Sequence, residues 1–258
     1  MRQLIAFTKK EFMEARRTGR FLILTIIFIL LGIMNPLVAK LTPLIMKEFS
    51  DSFEESGIIV TEAACNVDAL TSWTQYFKNI PMGLIVFLLM FSGIIAFELQ
   101  KGTFVNMITK GMIRKNIILS KTIVLLAVWT VNYWLCFFIT YFYNAYYWDN
   151  SIAKNIFFAA FCVYMFGVWL VTLLIMMSTV FSTASAVLVS TGGAFFVVYM
   201  LSMIPDLKKF LPTKLMDASN LLSNVGQVED YAVSLGIISV LIIVQISTAI
   251  TEFNRKVI

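Results

Sequence analysis

Six long apolar stretches limit what this chain can fold into more than any other feature of its sequence. About 20 predominantly apolar residues are enough to cross the hydrocarbon core of a bilayer as a helix. The chain is 59% hydrophobic and only 14% charged, whereas soluble domains carry about 25% charged residues. We therefore predict an all-α integral membrane protein, a single transmembrane domain over residues 1–258 with six transmembrane helices. The stretches are Phe21 to about Met46, Pro81–Phe97, Leu119 to about Tyr143, Ile156–Val180, Thr183–Ile204 and Tyr231–Ile250.

The distribution of basic residues predicts how the chain is oriented. If the N-terminus is inside, the cytoplasmic segments 1–20, 98–121 and 251–258 hold 13 of the 20 Lys and Arg residues. Cytoplasmic loops of membrane proteins carry such an excess. Both termini are therefore predicted to be cytoplasmic, and the loops 47–80 and 205–230 to face outward. Because the middle of 205–230 is apolar, we expect that outer segment to be partly buried.

Residues 1–20 are predicted to form an amphipathic helix. On a wheel of 100° per residue, the basic residues share an arc of about 120° and the apolar ones an arc of about 160°, although Glu11 falls among the apolar residues. Such a helix lies flat at the inner membrane surface, with its basic side toward anionic headgroups. Gly19 then allows the turn into the first span. The residues assigned to this interfacial helix are Lys9, Lys10, Glu11, Arg16 and Arg17.

The segment after the second span, residues 98–118, is predicted to contain a short helix parallel to the membrane. Lys101 and Gly102 interrupt the span, Thr103 is a candidate helix cap, and Gly111 ends the helix. An apolar side made by Phe104, Val105, Met107 and Ile108 would be available to a cytoplasmic partner. On composition alone, a plain basic loop is an equally good interpretation.

The sequence contains no motif typical of catalysis or of nucleotide binding. It contains no histidine, so no catalytic triad or metal site that depends on histidine is possible. It contains no Gly-Lys dipeptide, so it has no phosphate-binding loop of the GxxxxGK[ST] type. We predict that the chain is not an enzyme and that it holds no catalytic residue, metal or cofactor.

Two uncharged features inside the spans are candidates for lining a pathway. Asn35 and Pro36 lie within the first span, where proline frees a backbone carbonyl and favours a kink. Thr191, Gly192 and Gly193 give the fifth span a small-residue side that allows close helix approach. The alternative is that this small side only packs against a neighbouring helix of the same subunit.

The order of these features resembles a known family. An amphipathic KKEF…RR helix precedes six spans, and an E-x-x-KGT…ITK…R loop follows the second of them. Together they resemble the permease subunits of type-2 ATP-binding-cassette exporters over nearly the whole chain. The resemblance implies that the loop 98–118 is a coupling helix seated in a groove of a separate ATPase. The residues implied to couple are Glu98, Lys101, Gly102, Thr103, Phe104, Met107, Lys110 and Arg114.

The resemblance also implies the partners and the location. Two permeases, as a homodimer or with a paralogue, would work with two ATPase subunits that hold ATP and Mg²⁺, in the plasma membrane of a bacterium. Membrane lipids are expected contacts and nucleic acid is not. The uncharged spans favour an amphipathic or hydrophobic cargo, an antimicrobial or cytolytic peptide first and a lipid or drug next. The alternatives are a non-transporting scaffold that recruits a cytoplasmic partner and an enzyme acting on lipid.

Overall fold

The fold is a bundle of long helices, seen in a computed structural model that describes residues 2–48, 68–223 and 226–256. Within those residues there is no β-strand, and six helices are long and apolar enough to cross a membrane. The prediction of an all-α integral membrane protein is therefore confirmed. The α-helices are α1 (Arg2–Arg17), α2 (Arg20–Glu48), α3 (Ala69–Phe91), α4 (Ala96–Gln100), α5 (Thr103–Thr109), α6 (Arg114–Tyr147), α7 (Ile156–Val180), α8 (Ala184–Leu201), α9 (Pro205–Lys208) and α10 (Glu229–Arg255).

The candidate spans are α2, α3 continued by α4, α6, α7, α8 and α10. Helix α1 precedes them and α5 lies between the second and third, as predicted. Two 3₁₀ segments, Asn150–Ile152 and Pro212–Leu221, complete the fold. The centre of the predicted loop 47–80, residues 49–67, lies outside the described residues.

The second span begins earlier than the sequence predicted. The apolar stretch begins at Pro81, and we expected the helix to extend back through Tyr76 and Phe77, but α3 already starts at Ala69. Asp68 caps it, because its carboxylate accepts a hydrogen bond of 2.9 Å from the Thr71 backbone nitrogen. Aromatic residues rather than aliphatic ones make the added turns apolar, and Trp73 and Tyr76 are fully buried there. The predicted loop therefore ends at Asp68.

The bundle has two distinct ends. At the end that we call the near face, α1 packs against the start of α6, and the end of α10 is bonded to Arg114. At the opposite end, the far face, the segment Pro212–Leu221 packs against the start of α7. The first and last described residues, Arg2 and Lys256, both belong to the near face. Because six is an even number of spans, the segments before the first span and after the last span lie on the same side of the membrane.

Helix α7 is the centre of the core. Of its most apolar stretch 78% is buried, against 11% for α8. Gly167 makes close packing possible, since the Trp129 indole of α6 lies where a β-carbon would stand. The Trp129 ring in turn contacts the Phe28, Phe87 and Tyr133 rings. The aromatic side chains of α2, α3 and α6 thus fix the packing around α7.

Candidate coupling face

Helix α1 does not simply lie on the surface of the bundle, because one side of it is built into the protein. Phe7 and Glu11 are buried, while Lys9, Arg16 and Arg17 are exposed as the amphipathic pattern predicted. The Thr8 hydroxyl donates to Ser120 Oγ at 3.2 Å, which ties α1 to α6. The apolar side of α1 is therefore divided between the bundle and its surroundings.

Glu11, the residue that interrupted the apolar arc, is explained by a lysine on α6. The Lys121 ammonium donates to Glu11 Oε2 at 2.8 Å and lies 3.0 Å from Glu98 Oε1. The side chains of Lys121 and Glu11 are only 1% and 4% exposed. Buried charges must be paired, so Glu11 belongs on the inward side of the helix. The sequence counted Lys121 with the basic residues of the segment 98–121 and did not predict its pairing with Glu11.

Lys10 completes the cluster and also faces inward, contrary to the prediction that it points to headgroups. Its Nζ lies 3.0 Å from Glu11, 2.8 Å from Glu14 and 3.6 Å from Glu98. Burial alone would lower the pKa of Lys10, but the hydrogen bond to Glu14 and the negative charges of Glu11 and Glu98 outweigh it and raise the pKa. Lys10 therefore stays charged and helps to hold α1 on the bundle.

The three carboxylates of this cluster lie close enough together to suggest a metal. One oxygen each of Glu11, Glu14 and Glu98 falls within 4.8 Å of the others. The ammonium groups of Lys10 and Lys121 already bond to these carboxylates, however. Because the two cations balance most of the negative charge, the arrangement is an ion-pair network joining α1, α4 and α6.

A cavity of about 720 Å³ opens beside the network. Both charged and apolar side chains line it, among them Arg20, Lys101, Phe91 and Phe97. The second oxygen of Glu98, Oε2, is buried and has no hydrogen-bond partner among the described residues. The cavity lies between α1 on one side and α4 and α5 on the other, and Lys10 and Lys121 also border it.

The predicted coupling helix exists as α5 and is bounded by two glycines. Gly102 and Gly111 have φ angles of 64° and 83°, in the left-handed region that favours glycine. Gly111 therefore ends the helix as predicted. Thr103 does not cap it, because the cap position belongs to Gly102, and the Thr103 hydroxyl instead donates to the Glu98 carbonyl at 3.1 Å.

Phe104 does not face a partner, and the prediction that it does is wrong. Its side chain is fully buried, and its ring meets the Phe253 ring of α10 edge-on at 5.3 Å. Met107 is half-buried and lines the cavity. The side of α5 that is free in this subunit consists of different residues. They are Lys101, Val105, Asn106, Thr109 and Lys110.

Arg114 is likewise occupied within the subunit. Its guanidinium donates to the carbonyls of Phe253, Asn254 and Lys256 at 3.4, 3.0 and 2.7 Å. A cation is favourable at the C-terminal end of a helix, where carbonyls lack partners. Lys256 does the same for α7, because its Nζ donates to the carbonyls of Thr179 and Val180 at 3.0 and 3.2 Å. The loop 98–118 is thus tied to α10, and the end of α10 to α7.

The comparison with protein families agrees with this arrangement. The model of the ABC-2 family transporter protein matches residues 5–256. No curated protein and no solved structure matches the chain. The chain belongs to the ABC-2 transporter family. It is therefore the multi-pass membrane permease subunit of an ATP-binding-cassette transporter, a kind of subunit that works with a partner ATPase.

In this permease, Asn35 and Pro36, the first candidate for lining a pathway, instead take part in contacts between helices. Asn35 and Pro36 are buried, and Asn35 Oδ1 accepts a hydrogen bond of 2.8 Å from Asn79 on α3. Helix α2 runs on through Pro36. The proline leaves the Gly32 carbonyl without its usual helical donor, and the Thr140 hydroxyl of α6 donates to it at 3.0 Å. The expected function of Asn35 and Pro36 in a pathway gains no support from these contacts.

The second candidate for lining a pathway, Thr191 with Gly192 and Gly193, is only partly packed. Thr191 is buried, but Gly192 and Gly193 are exposed, and no atom lies within 4 Å of a β-carbon built on either glycine. The alternative that both glycines pack against a helix of the same subunit is therefore wrong for the described residues. Gly192 instead borders an apolar cavity of about 270 Å³ between α3, α7 and α8.

Proposed function

We propose that this permease exports an amphipathic or hydrophobic cargo, using ATP hydrolysed by two separate ATPase subunits that bind at the near face. The observation that carries the proposal is the two-sided character of α5. One side is anchored to the bundle through Phe104, and the other presents Val105, Asn106 and Lys110. A helix anchored on one side and exposed on the other can transmit a movement of a bound partner to the spans.

The anchoring contacts favour transmission over simple recruitment. The coupling loop is bonded to α10 through Arg114, and to α1 through the network of Glu98, Lys121 and Glu11. Packed side chains and hydrogen-bonded or ion-paired networks of this kind carry energetic coupling between distant sites. Lys101 and Lys110 are therefore proposed as contacts with the ATPase, while Glu98, Phe104 and Arg114 are proposed as residues that position the loop.

The remaining parts of the proposal rest on charge and composition. The excess of basic residues at the near face supports a cytoplasmic location for both termini, in the plasma membrane of a bacterium. ATP and Mg²⁺ would be held by the ATPase. A second permease copy or a close paralogue would complete the pathway, with lipids around it. Away from the near-face ion-pair network, the apolar interior of the spans favours a cytolytic or antimicrobial peptide as cargo, then a lipid or drug.

Reconstitution separates transport from the scaffold alternative. The permease and its ATPase would be placed in proteoliposomes, and ATP-dependent movement of a fluorescent amphipathic peptide measured. We expect movement that requires both subunits. A scaffold would bind the ATPase and move neither this peptide nor a fluorescent lysolipid added in its place, which would overturn the proposal.

Orientation is tested by labelling single cysteines, in a background without Cys65, Cys136 and Cys162. Asn106→Cys lies at the near face and Lys209→Cys at the far face, and both positions are exposed. In intact cells we expect a membrane-impermeant thiol reagent to modify only the cysteine at 209. If only the cysteine at 106 were modified, the near face would lie outside the cell, and both the predicted orientation and the predicted direction of transport would be wrong.

A further inference from the structure

One side of α8 lines two cavities in succession. Leu188, Gly192 and Phe195 border the apolar cavity of about 270 Å³. Farther along the same helix, Tyr199 and Ser202 border a second cavity of about 510 Å³ at the far face. Positions spaced by three, four and seven residues share one side of a helix, so the two cavities follow the same stripe.

Met216, from the 3₁₀ segment Pro212–Leu221, borders both cavities. The first cavity has an almost wholly apolar wall, which includes Leu84, Leu88 and Leu170. The second contains the hydroxyls of Tyr199 and Ser202 and two oppositely charged side chains. The stripe thus runs from an apolar compartment within the spans to a polar compartment at their end.

The polar compartment has hydrogen-bonding capacity that the described residues do not use. Thr213 borders this cavity and is 4% exposed, and its buried hydroxyl has no partner among the described residues. A buried hydroxyl without a partner costs free energy, so a ligand that bonds to it gains that amount. Beside it, Lys208 Nζ and Asp217 Oδ2 form an ion pair of 2.7 Å in which both side chains are partly exposed. One charge of each sign is therefore available to a headgroup.

We propose that these two compartments form one binding site for a single-chain amphiphile with a zwitterionic headgroup. The chain lies along Leu188, Gly192 and Phe195, and the headgroup lies against Thr213, Lys208 and Asp217. The negative group of such a headgroup would lie beside Lys208 and its positive group beside Asp217, so the net charge of the compartment would stay unchanged. The inference deepens the proposed function, on which it rests, by naming the class of cargo. Binding itself needs neither ATP nor the ATPase.

Two adjacent glycines provide a matched test. No atom lies within 4 Å of a β-carbon at Gly192 or Gly193, but only Gly192 borders the apolar cavity. A leucine at 192 would therefore fill the cavity without disturbing the fold, and a leucine at 193 would not enter it. The probe is a lysophosphatidylcholine with a photoreactive group at the end of its chain, added to the purified permease without ATPase. We expect Gly192→Leu to weaken binding at least tenfold and Gly193→Leu to leave it unchanged.

The headgroup is tested separately. Thr213→Val keeps the shape of the side chain and removes the hydroxyl, so we expect unaltered stability and several-fold weaker binding of the same probe. A probe with the same chain and an uncharged alcohol headgroup should bind several-fold more weakly to the wild type, because it carries no charge to match Lys208 and Asp217. Crosslinked peptides should map to α3 and α8.

Three results would overturn the site. The first is equal binding by the Gly192→Leu and Gly193→Leu variants. The second is equal binding of the zwitterionic and alcohol probes. The third is a change from dimer to monomer in Gly192→Leu with unaltered binding, which would assign the apolar cavity to a second copy of the chain. All three are observed without the ATPase, so none of them bears on whether the near face binds it.

Discussion

Two lysine–carboxylate ion pairs at opposite ends of the bundle show how differently those ends are built. At the near face, Lys121 and Glu11 are 2.8 Å apart and almost completely buried. At the far face, Lys208 and Asp217 are 2.7 Å apart but 40% and 33% exposed. The distances are alike and the surroundings are not. The near face holds its ion pair inside a junction of α1, α4 and α6, whereas the ion pair of the far face lies open to its surroundings.

The largest expected effect comes from removing the lysine of each pair. Lys121→Ala leaves Glu11 and Glu98 buried with fewer partners, and breaking a buried pair costs about 3–5 kcal/mol. Lys208→Ala removes an exposed pair, which is worth about 1 kcal/mol or less. The free energy of unfolding, measured by titration with SDS in mixed micelles, should separate the two variants. Equal losses would show that the two ends do not differ in the way described.

A second pair of variants extends the comparison from charge to packing. In Gly167→Ala the new methyl group would overlap the Trp129 indole, and overpacking of this kind costs about 1–3 kcal/mol. In Gly193→Ala the methyl group meets no atom within 4 Å, so we expect no loss of stability. The same micelle titration measures both. A comparable loss in Gly193→Ala would indicate that α8 is packed within the subunit.

Local sequence signals anticipated much of the fold and little of the near-face junction. Spans follow from apolar length, and the turns at Gly19 and Gly111 follow from the left-handed conformation that glycine tolerates. The Lys121–Glu11 bond joins residues 110 positions apart, and no periodicity within either helix specifies such a partner. Phe104 was misplaced for the same reason, because its neighbour Phe253 comes from the other end of the chain. The misfit of Glu11 on the helical wheel was the one available sign of a buried charge.

A smaller effect is expected at the end of α10. Arg114→Gln removes the cation that bonds three carbonyls there, and a charge at a helix terminus is worth about 1 kcal/mol. The exposed neighbour Lys115 makes no such contact with the described residues, so Lys115→Gln is the control. Limited proteolysis of the C-terminal residues should be faster only in Arg114→Gln. Equal rates in the two variants would show that Arg114 does not secure the near face.

The smallest effect is a dependence of stability on pH through Glu14. Burial alone would raise the pKa of Glu14, but the hydrogen bond and the charge of Lys10 lower it overall. A carboxyl with a lowered pKa adds stability above its unfolded pKa of about 4.3 and loses it as the pH falls through the folded pKa. The pair is partly exposed, so the contribution is below about 1 kcal/mol. Wild type and Glu14→Gln should differ at pH 7 and converge toward pH 3, whereas a constant difference would exclude this origin.

Binding of the ATPase to the near face tests the central claim most directly. Val105 and Lys110 lie on the free side of α5, while Lys209 is an exposed lysine at the far face. The permease would be purified through an affinity tag from cells that also produce the ATPase, and the amount of ATPase bound to it measured. We predict that Val105→Asp combined with Lys110→Glu leaves the yield of permease unchanged and abolishes recovery of the ATPase, whereas Lys209→Glu retains it. Full recovery of the ATPase with the double variant would contradict the account.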